Sequence, residues 1–235
     1  MIKINNGAQF RLLLKALSDD IVDAHLHFAM HEALHTAFEE YPLVKQQSYG
    51  FWTLTLQAHL NSSVYALFRA YDKDRQALHL RGWLTTIREN VHLFDDAAFR
   101  ERLKDNPYVA TLAEECGKPD QSTLDDDIAA CSHYDPIVKK LVPYRGNRIA
   151  HRNARSSLVA NENNSNDHSL MYEDLRTLLA RAKEILNRYS YMFDASIYAT
   201  KAVGSDDFQY IFDAVHEKVE LAEREWTTVR GLTKK

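Results

Sequence analysis

Apolar residues recur at spacings of three and four along most of this chain, the pattern of amphipathic helices. The first stripe covers residues 10–28, and Pro42 is expected to end or bend its helix because proline removes a backbone donor. A second helix is predicted to follow to about residue 72. Its apolar residues between 51 and 68 are dense enough to surround it, which predicts a central helix.

After residue 73 the pattern breaks into shorter pieces, which predict short helices separated by polar turns. Asp135 and Pro136 mark the next helix start, with Asp as the N-cap and Pro at the first helical position. Two long helices are predicted to close the chain, over residues 175–189 and 208–226. The last one has the strongest amphipathic pattern, and its stripe would pack either within the chain or on a second copy.

The composition supports the same all-α fold class. Only 7 Gly and 5 Pro among 235 residues leave few turns, and 45% hydrophobic residues suffice for a core. We expect a single domain over residues 1–235, with Cys116 and Cys131 as reduced core thiols. Because neither a membrane span nor a signal peptide is recognisable in the sequence, we expect a cytoplasmic protein that makes no membrane contact.

Positive charge is concentrated in one segment of a chain whose net charge is −4. Residues 139–155 contain six lysines and arginines and no acidic residue. On a helix, Arg145, Arg148 and Arg152 would share one stripe, with Asn147 and His151 on the adjoining one. Guanidinium groups match phosphate oxygens, and histidine exchanges a proton near neutral pH. The segment is therefore a candidate phosphate site.

These side chains are sufficient for RNA cleavage without a metal or cofactor. The substrate's 2′-hydroxyl would be the nucleophile, His151 would move the proton, and arginine would stabilise the charge on phosphorus. The alternative interpretation is a solvated basic helix face that carries a surface histidine.

The spacing of Arg145 and His151, with five residues between them, resembles the Arg-x(4–6)-His signature of the HEPN superfamily (higher eukaryote and prokaryote nucleotide-binding). Residues 148–153 and the upstream segment 66–74 resemble its abortive-infection branch. The resemblance covers about residues 40–200. It implies a HEPN-like up-and-down helical bundle with additional short helices and two long C-terminal helices, flanked by residues 1–40 and 205–230.

The resemblance also implies an activity and partners. It implies a metal-independent endoribonuclease, active as a homodimer on single-stranded RNA, that serves as a toxin or antiphage effector. An antitoxin or nucleotidyltransferase partner would be compatible with that role. Carried over by position, the catalytic residues are Arg145 and His151, the substrate-binding residues are Asn147, Arg148 and Arg152, and the supporting residues are Arg69 and Asp72.

Gly146 departs from the family pattern, which usually places Asn, Asp or His directly after the arginine. Two interpretations follow: either Asn147 takes over the polar role, or the site binds RNA or a nucleotide without cleaving it. Arg69 and Asp72 also have a second interpretation, an ordinary ion pair at helical spacing three.

A competing motif lies in the first helix, where His31, Glu32 and His35 match the H-E-x-x-H pattern of zinc hydrolases. His27 extends the series on the same helix face. The surroundings do not fit a peptidase, because Phe38 and Tyr41 stand where a metzincin continuation needs Gly and His. We expect a face of partly exposed histidines and no metal, with zinc hydrolysis as the remote alternative.

Overall fold

A computed structural model describes residues 2–144, 170–201, 204 and 206–232. These residues form ten α-helices and one 3-10 helix, and none of them lies in a strand. The predicted all-α fold is therefore confirmed. None of the helices in these ranges combines the length and the apolar character that crossing a membrane requires.

The helices follow the predicted order, with short elements between the long ones. The predicted break at Pro42, the short helices of the middle region and the two long final helices are all confirmed. A 3-10 helix, Val91–Phe94, separates α4 from α5. The bounds are α1 Gly7–Glu40, α2 Pro42–Gln47, α3 Tyr49–Ala70, α4 Leu80–Glu89, α5 Asp96–Arg102, α6 Val109–Cys116, α7 Gln121–Ala130, α8 Pro136–Tyr144, α9 Tyr172–Asp194 and α10 Gln209–Leu232.

Side-chain caps explain where two of these helices begin. Asp135 Oδ1 accepts hydrogen bonds from the backbone N–H groups of Ile137 and Val138 at 2.9 and 3.0 Å, which confirms the predicted N-cap of α8. α4 has a less common cap, because His79 Nδ1 accepts from the Gly82 N–H at 3.1 Å. Both caps satisfy backbone donors that have no partner inside the helix.

The chain divides into two compact units, Met1–Ala24 with Val64–Thr200 and His25–Ser63 with Lys201–Lys235. In the first unit, Phe10 is fully buried and stacks on Trp83 with the ring centroids 5.7 Å apart. Cys116 and Cys131 are buried free thiols, as predicted, and burial raises the pKa of Cys131 to about 12. A single domain over residues 1–235 remains a prediction.

The second unit has a smaller core built on aromatic rings. Phe38, Trp52 and Phe212 pack with ring centroids 5.2–5.4 Å apart. Leu34, Ala37 and Val44 complete its buried residues.

The prediction of a central α3 is wrong for the first half of that helix. Phe51 is 62% exposed and Leu54 is 72% exposed, whereas Val64 and Leu67 farther along α3 are buried. Apolar residues on all sides of a helix show which faces are suited to burial. They do not show which faces pack against another helix.

Candidate active site

The predicted chemical residues lie outside the described part of the chain. No structure is described for residues 145–169, which include Arg145, Asn147, Arg148, His151 and Arg152. The same range includes the polar, turn-forming stretch at 160–167, which the sequence predicts to be a loop. The structure does describe the helices that lead into and out of this segment. We call α7, α8 and α9 the site frame, and all three belong to the first unit.

An ion pair joins the two helices that precede and follow the undescribed segment in the sequence. Lys140, near the end of α8, places Nζ 2.9 and 3.0 Å from the two carboxylate oxygens of Asp174, in the first turn of α9. Both side chains are largely buried, with 27% and 13% of their surfaces exposed. The ion pair therefore holds the last turns of α8 against the first turn of α9.

Asp174 also fixes the start of α9 directly, because its Oδ2 accepts a hydrogen bond from the Met171 N–H at 2.9 Å. Burial raises the pKa of Asp174, but the Met171 hydrogen bond and the Lys140 ammonium outweigh burial and hold the pKa below its usual value. Asp174 therefore stays ionised at neutral pH. One carboxylate caps α9 and pairs with α8 at the same time.

A second charged contact holds the beginning of α8. Arg181 of α9 lies 3.2 Å from Asp135 Oδ1, the oxygen that caps α8, and donates to the Ala130 carbonyl at the end of α7 at 2.6 Å. This one guanidinium therefore contacts the end of α7 and the start of α8. It fixes the turn between them against α9.

A third contact joins α7 to the last turns of α9. Asp127 Oδ2 accepts hydrogen bonds from Arg188 and from the Tyr189 hydroxyl, the latter at 2.8 Å. The Asp127 hydrogen bond raises the pKa of Arg188, whereas burial is the main cause of the raised pKa of Tyr189. Three charged contacts thus run along α9, and each one reaches a different part of α7 or α8.

The upstream motif at residues 66–74 packs on the same frame. The Tyr71 hydroxyl, buried at the end of α3, donates to the Leu178 carbonyl of α9 at 2.9 Å. Burial raises the pKa of Tyr71 well above its usual value, so this hydroxyl remains a donor. The motif thus supplies core contacts beneath α9.

Arg69 and Asp72, the predicted supporting residues, are joined by a backbone hydrogen bond from the Asp72 N–H to the Arg69 carbonyl at 3.3 Å. Arg69 Nε and Nη2 lie 2.8 and 2.6 Å from Asp20 Oδ1 on α1. Asp72 Oδ1 accepts from the N–H groups of Lys73 and Asp74 and shapes the turn after α3. The described role of Arg69 is thus a contact between helices of the first unit.

The sequence did not predict the contacts that join Asp127 to Arg188, Lys140 to Asp174 or Arg181 to Asp135, although Lys140 belongs to the basic segment 139–155. Lys140 and Asp174 are 34 positions apart, and Asp127 and Arg188 are 61 apart, so no local spacing pairs them. The two acidic residues in the first turn of α9, Glu173 and Asp174, favour a helix start in the sequence but do not identify Lys140 as a partner.

The histidines of the competing motif lie in the second unit. Buried His31 has its Nδ1 3.0 Å from the Leu56 carbonyl oxygen, while exposed His35 lies 4.0 Å from Glu39. Within the ranges that the structure describes, no group of three or more His, Cys, Asp or Glu side chains could hold a metal ion. The described residues therefore offer no third ligand to the H-E-x-x-H pair.

A neighbouring contact accounts for another histidine of the series. His27 Nδ1 lies 2.9 Å from His59 Nδ1, a distance at which one imidazole donates a hydrogen bond to the other. Burial lowers the pKa of His59, and His27 and His31 lower it further. These contacts join α1 to α3 within the second unit.

A comparison with known families shows a match that covers most of the chain. The family model described as AbiU2, a HEPN-type family, matches residues 8–220. The matched span includes the site frame and the segment that carries Arg145 and His151. No curated protein and no solved structure matches the chain.

Proposed function

The chain belongs to the AbiU2 family of HEPN proteins, and we propose that it is a metal-independent endoribonuclease that acts in abortive infection. The observation that carries the proposal is the position of Arg145 and His151 at the HEPN signature spacing, inside the matched span and directly after α8. The site frame also supports it, because charged contacts fix the helices that precede and follow this segment in the sequence, and an enzyme without a metal needs a rigid scaffold.

In the proposed reaction, His151 accepts the proton of the substrate's 2′-hydroxyl as the 2′-oxygen attacks the adjacent phosphorus. Arg145 stabilises the negative charge that builds on the phosphoryl oxygens. The bond between phosphorus and the 5′-oxygen breaks, and that oxygen takes up a proton. The products are a 2′,3′-cyclic phosphate and a free 5′-hydroxyl.

The remaining polar residues of the segment bind substrate in this proposal. Arg148 and Arg152 hold the phosphates on either side of the cleaved bond. Asn147 supplies the polar group that Gly146 lacks. The proposed protein works as a homodimer on single-stranded RNA, as a toxin or antiphage effector.

The test is cleavage of single-stranded RNA by purified protein in excess chelator. We expect Arg145→Ala and His151→Ala each to lower the rate by about 100-fold or more, the range seen when a general acid–base is lost. Matched controls are Arg75→Ala and His92→Ala, because both side chains are exposed and lie outside the site. If both site variants cleave like wild type, the assignment fails.

The non-catalytic alternative follows from Gly146, and the same preparation tests it. An RNA-binding module would bind RNA with an affinity that falls as salt rises, because the contacts are to phosphate, and it would form no product. Asn147→Ala separates the two interpretations of Gly146. If Asn147 has taken over the polar role, this variant cleaves more slowly than wild type.

A further inference from the structure

The last helix carries an apolar stripe that its own unit covers only in part. Apolar residues occur at positions 212, 215, 219, 222 and 226, at alternating spacings of three and four that form the seam of a coiled coil. Phe212 is fully buried against Phe38 and Trp52, and Val215 packs at the edge of the same core. The stripe continues beyond that core.

The second half of the stripe lines an open groove. Val219 is half-buried, Ala222 is exposed and Trp226 is 62% exposed. Together with Val215, with Gln47 and Ser48 at the end of α2, and with the charged side chains of Lys218 and Glu223, they line a groove of about 530 Å³. A tryptophan so exposed beside a groove that mixes apolar and charged side chains is typical of an interface, because large aromatic side chains dominate binding energies.

Two opposite charges on one side of the stripe have no ion-pair partner within the described residues. Lys218 and Glu225 adjoin it on one side, and no ion pair forms at either side chain in the part of the chain that the structure describes. Neither residue has a charged neighbour three or four positions away in the sequence. By contrast, Glu220 pairs with both His216 and Arg224 of the same helix.

We propose that α10 pairs in antiparallel orientation with α10 of a second copy of this chain. With the two-fold axis between positions 219 and 222, Val219 of one copy lies opposite the partner's Ala222. Lys218 then lies beside the partner's Glu225, and symmetry forms this ion pair twice. Lys218 and Glu225, which form no ion pair within the described residues of one copy, therefore pair with each other between two copies.

Antiparallel pairing also fills the groove of each copy with a side chain of the other. It places Trp226 of each copy level with the partner's Val215, beside the partner's Gln47 and Ser48. A parallel pair would instead place Trp226 against Trp226 of the second copy and leave the groove open. The pairing specifies a contact surface for the homodimer of the proposed function, but it requires no ribonuclease activity.

Sedimentation of the full chain at micromolar concentrations tests the pairing. We expect wild type to dimerise, and Lys218→Glu to raise the dimer dissociation constant about tenfold, because two attractive contacts become repulsive. Glu225→Lys should do the same, and the double variant should restore pairing. Trp226→Ala should abolish it. The matched control Leu221→Ala removes an exposed apolar side chain of α10 outside the seam and should change nothing.

Three results would overturn the proposal. The first is a wild type that stays monomeric throughout the concentration range. The second is a Trp226→Ala variant that dimerises like wild type. The third is rescue of Lys218→Glu by Glu223→Lys in place of Glu225→Lys, because that result indicates parallel helices. Circular dichroism confirms that each variant keeps its helices. The same measurement on His151→Ala separates this proposal from the function, since pairing should survive when cleavage is lost.

Discussion

α9 and α10 have similar lengths and similar apolar stripes, yet their surroundings differ. α9 buries its stripe from Leu175 to Phe193 and makes three charged contacts with α7 and α8. Among the α10 side chains that the structure describes, Phe212 alone is buried, and the ion pairs connect residues of the same helix. An amphipathic pattern therefore predicts that one face of a helix is buried. Contacts between residues distant in sequence show whether that face packs within the same chain.

The largest expected difference between the two helices comes from one substitution made in each. Leu186→Ala in α9 empties a fully buried position and should lower the free energy of unfolding by about 2–5 kcal/mol. Leu221→Ala in α10 removes a side chain that is 57% exposed and should change it by less than about 0.5 kcal/mol. Urea denaturation measures both. Equal effects would contradict the contrast between the helices.

The Asp127 contacts should matter nearly as much. Asp127→Ala leaves Arg188 and the Tyr189 hydroxyl without their acceptor and should cost about 2–4 kcal/mol. Asp126→Ala is the matched control, because it removes an exposed carboxylate from the same helix. If the two variants unfold at the same urea concentration, the charged contacts of α9 contribute little.

A smaller and pH-dependent effect is expected at the ends of the proposed catalytic segment. Asp174→Asn removes the charge that faces Lys140 and should cost roughly 1–2 kcal/mol at neutral pH. The pKa of Asp174 is lower in the folded protein than its usual value of 3.8, so its contribution is complete above that value. It disappears as the pH falls through the folded-state pKa.

The measurement is the stability of wild type and Asp174→Asn as a function of pH. Their difference should stay constant above about pH 5, where the carboxylate is ionised in both states, and should shrink on acidification below the usual carboxyl range. A difference that grows on acidification would mean that burial, and not the Lys140 pair, dominates at Asp174.

The smallest expected effect stabilises α9. Ala195 ends this helix in the left-handed conformation, with φ of 55°. Ala195→Gly removes the steric cost of that conformation and should raise the free energy of unfolding by roughly 0.5–1 kcal/mol. Thermal unfolding would detect the change. A loss of stability would show that the Ala195 methyl group makes contacts worth more than the strain.

The sequence predicted those features of the fold that depend on neighbouring residues. Asp135 and Pro136 identified the start of α8, and Pro42 identified the break after α1, because capping and proline geometry act over a few positions. The His79 cap was not predictable in this way. It depends on a close approach to Gly82, where an added Cβ would lie 3.1 Å from His79 Nε2.

The same distinction applies to the candidate site: the sequence predicted its local motifs but not its contacts between distant residues. Family membership confirms the HEPN resemblance that Arg145, His151 and residues 66–74 had suggested. The ion pairs of the site frame could not be predicted, since they join helices whose packing the sequence does not encode locally. The exposed first half of α3 was missed for a related reason, because density of apolar residues does not identify the neighbour that would bury them.

Cleavage of one RNA oligonucleotide and its 2′-deoxy counterpart, in excess chelator, tests the central claim most directly. If His151 and Arg145 promote attack by the 2′-oxygen, the RNA is cut, its products end in a 2′,3′-cyclic phosphate and a 5′-hydroxyl, and the deoxy strand stays intact. Equal cleavage of both strands would contradict the mechanism, because the deoxy strand lacks the nucleophile. Loss of RNA cleavage on chelation would contradict the claim that no metal takes part.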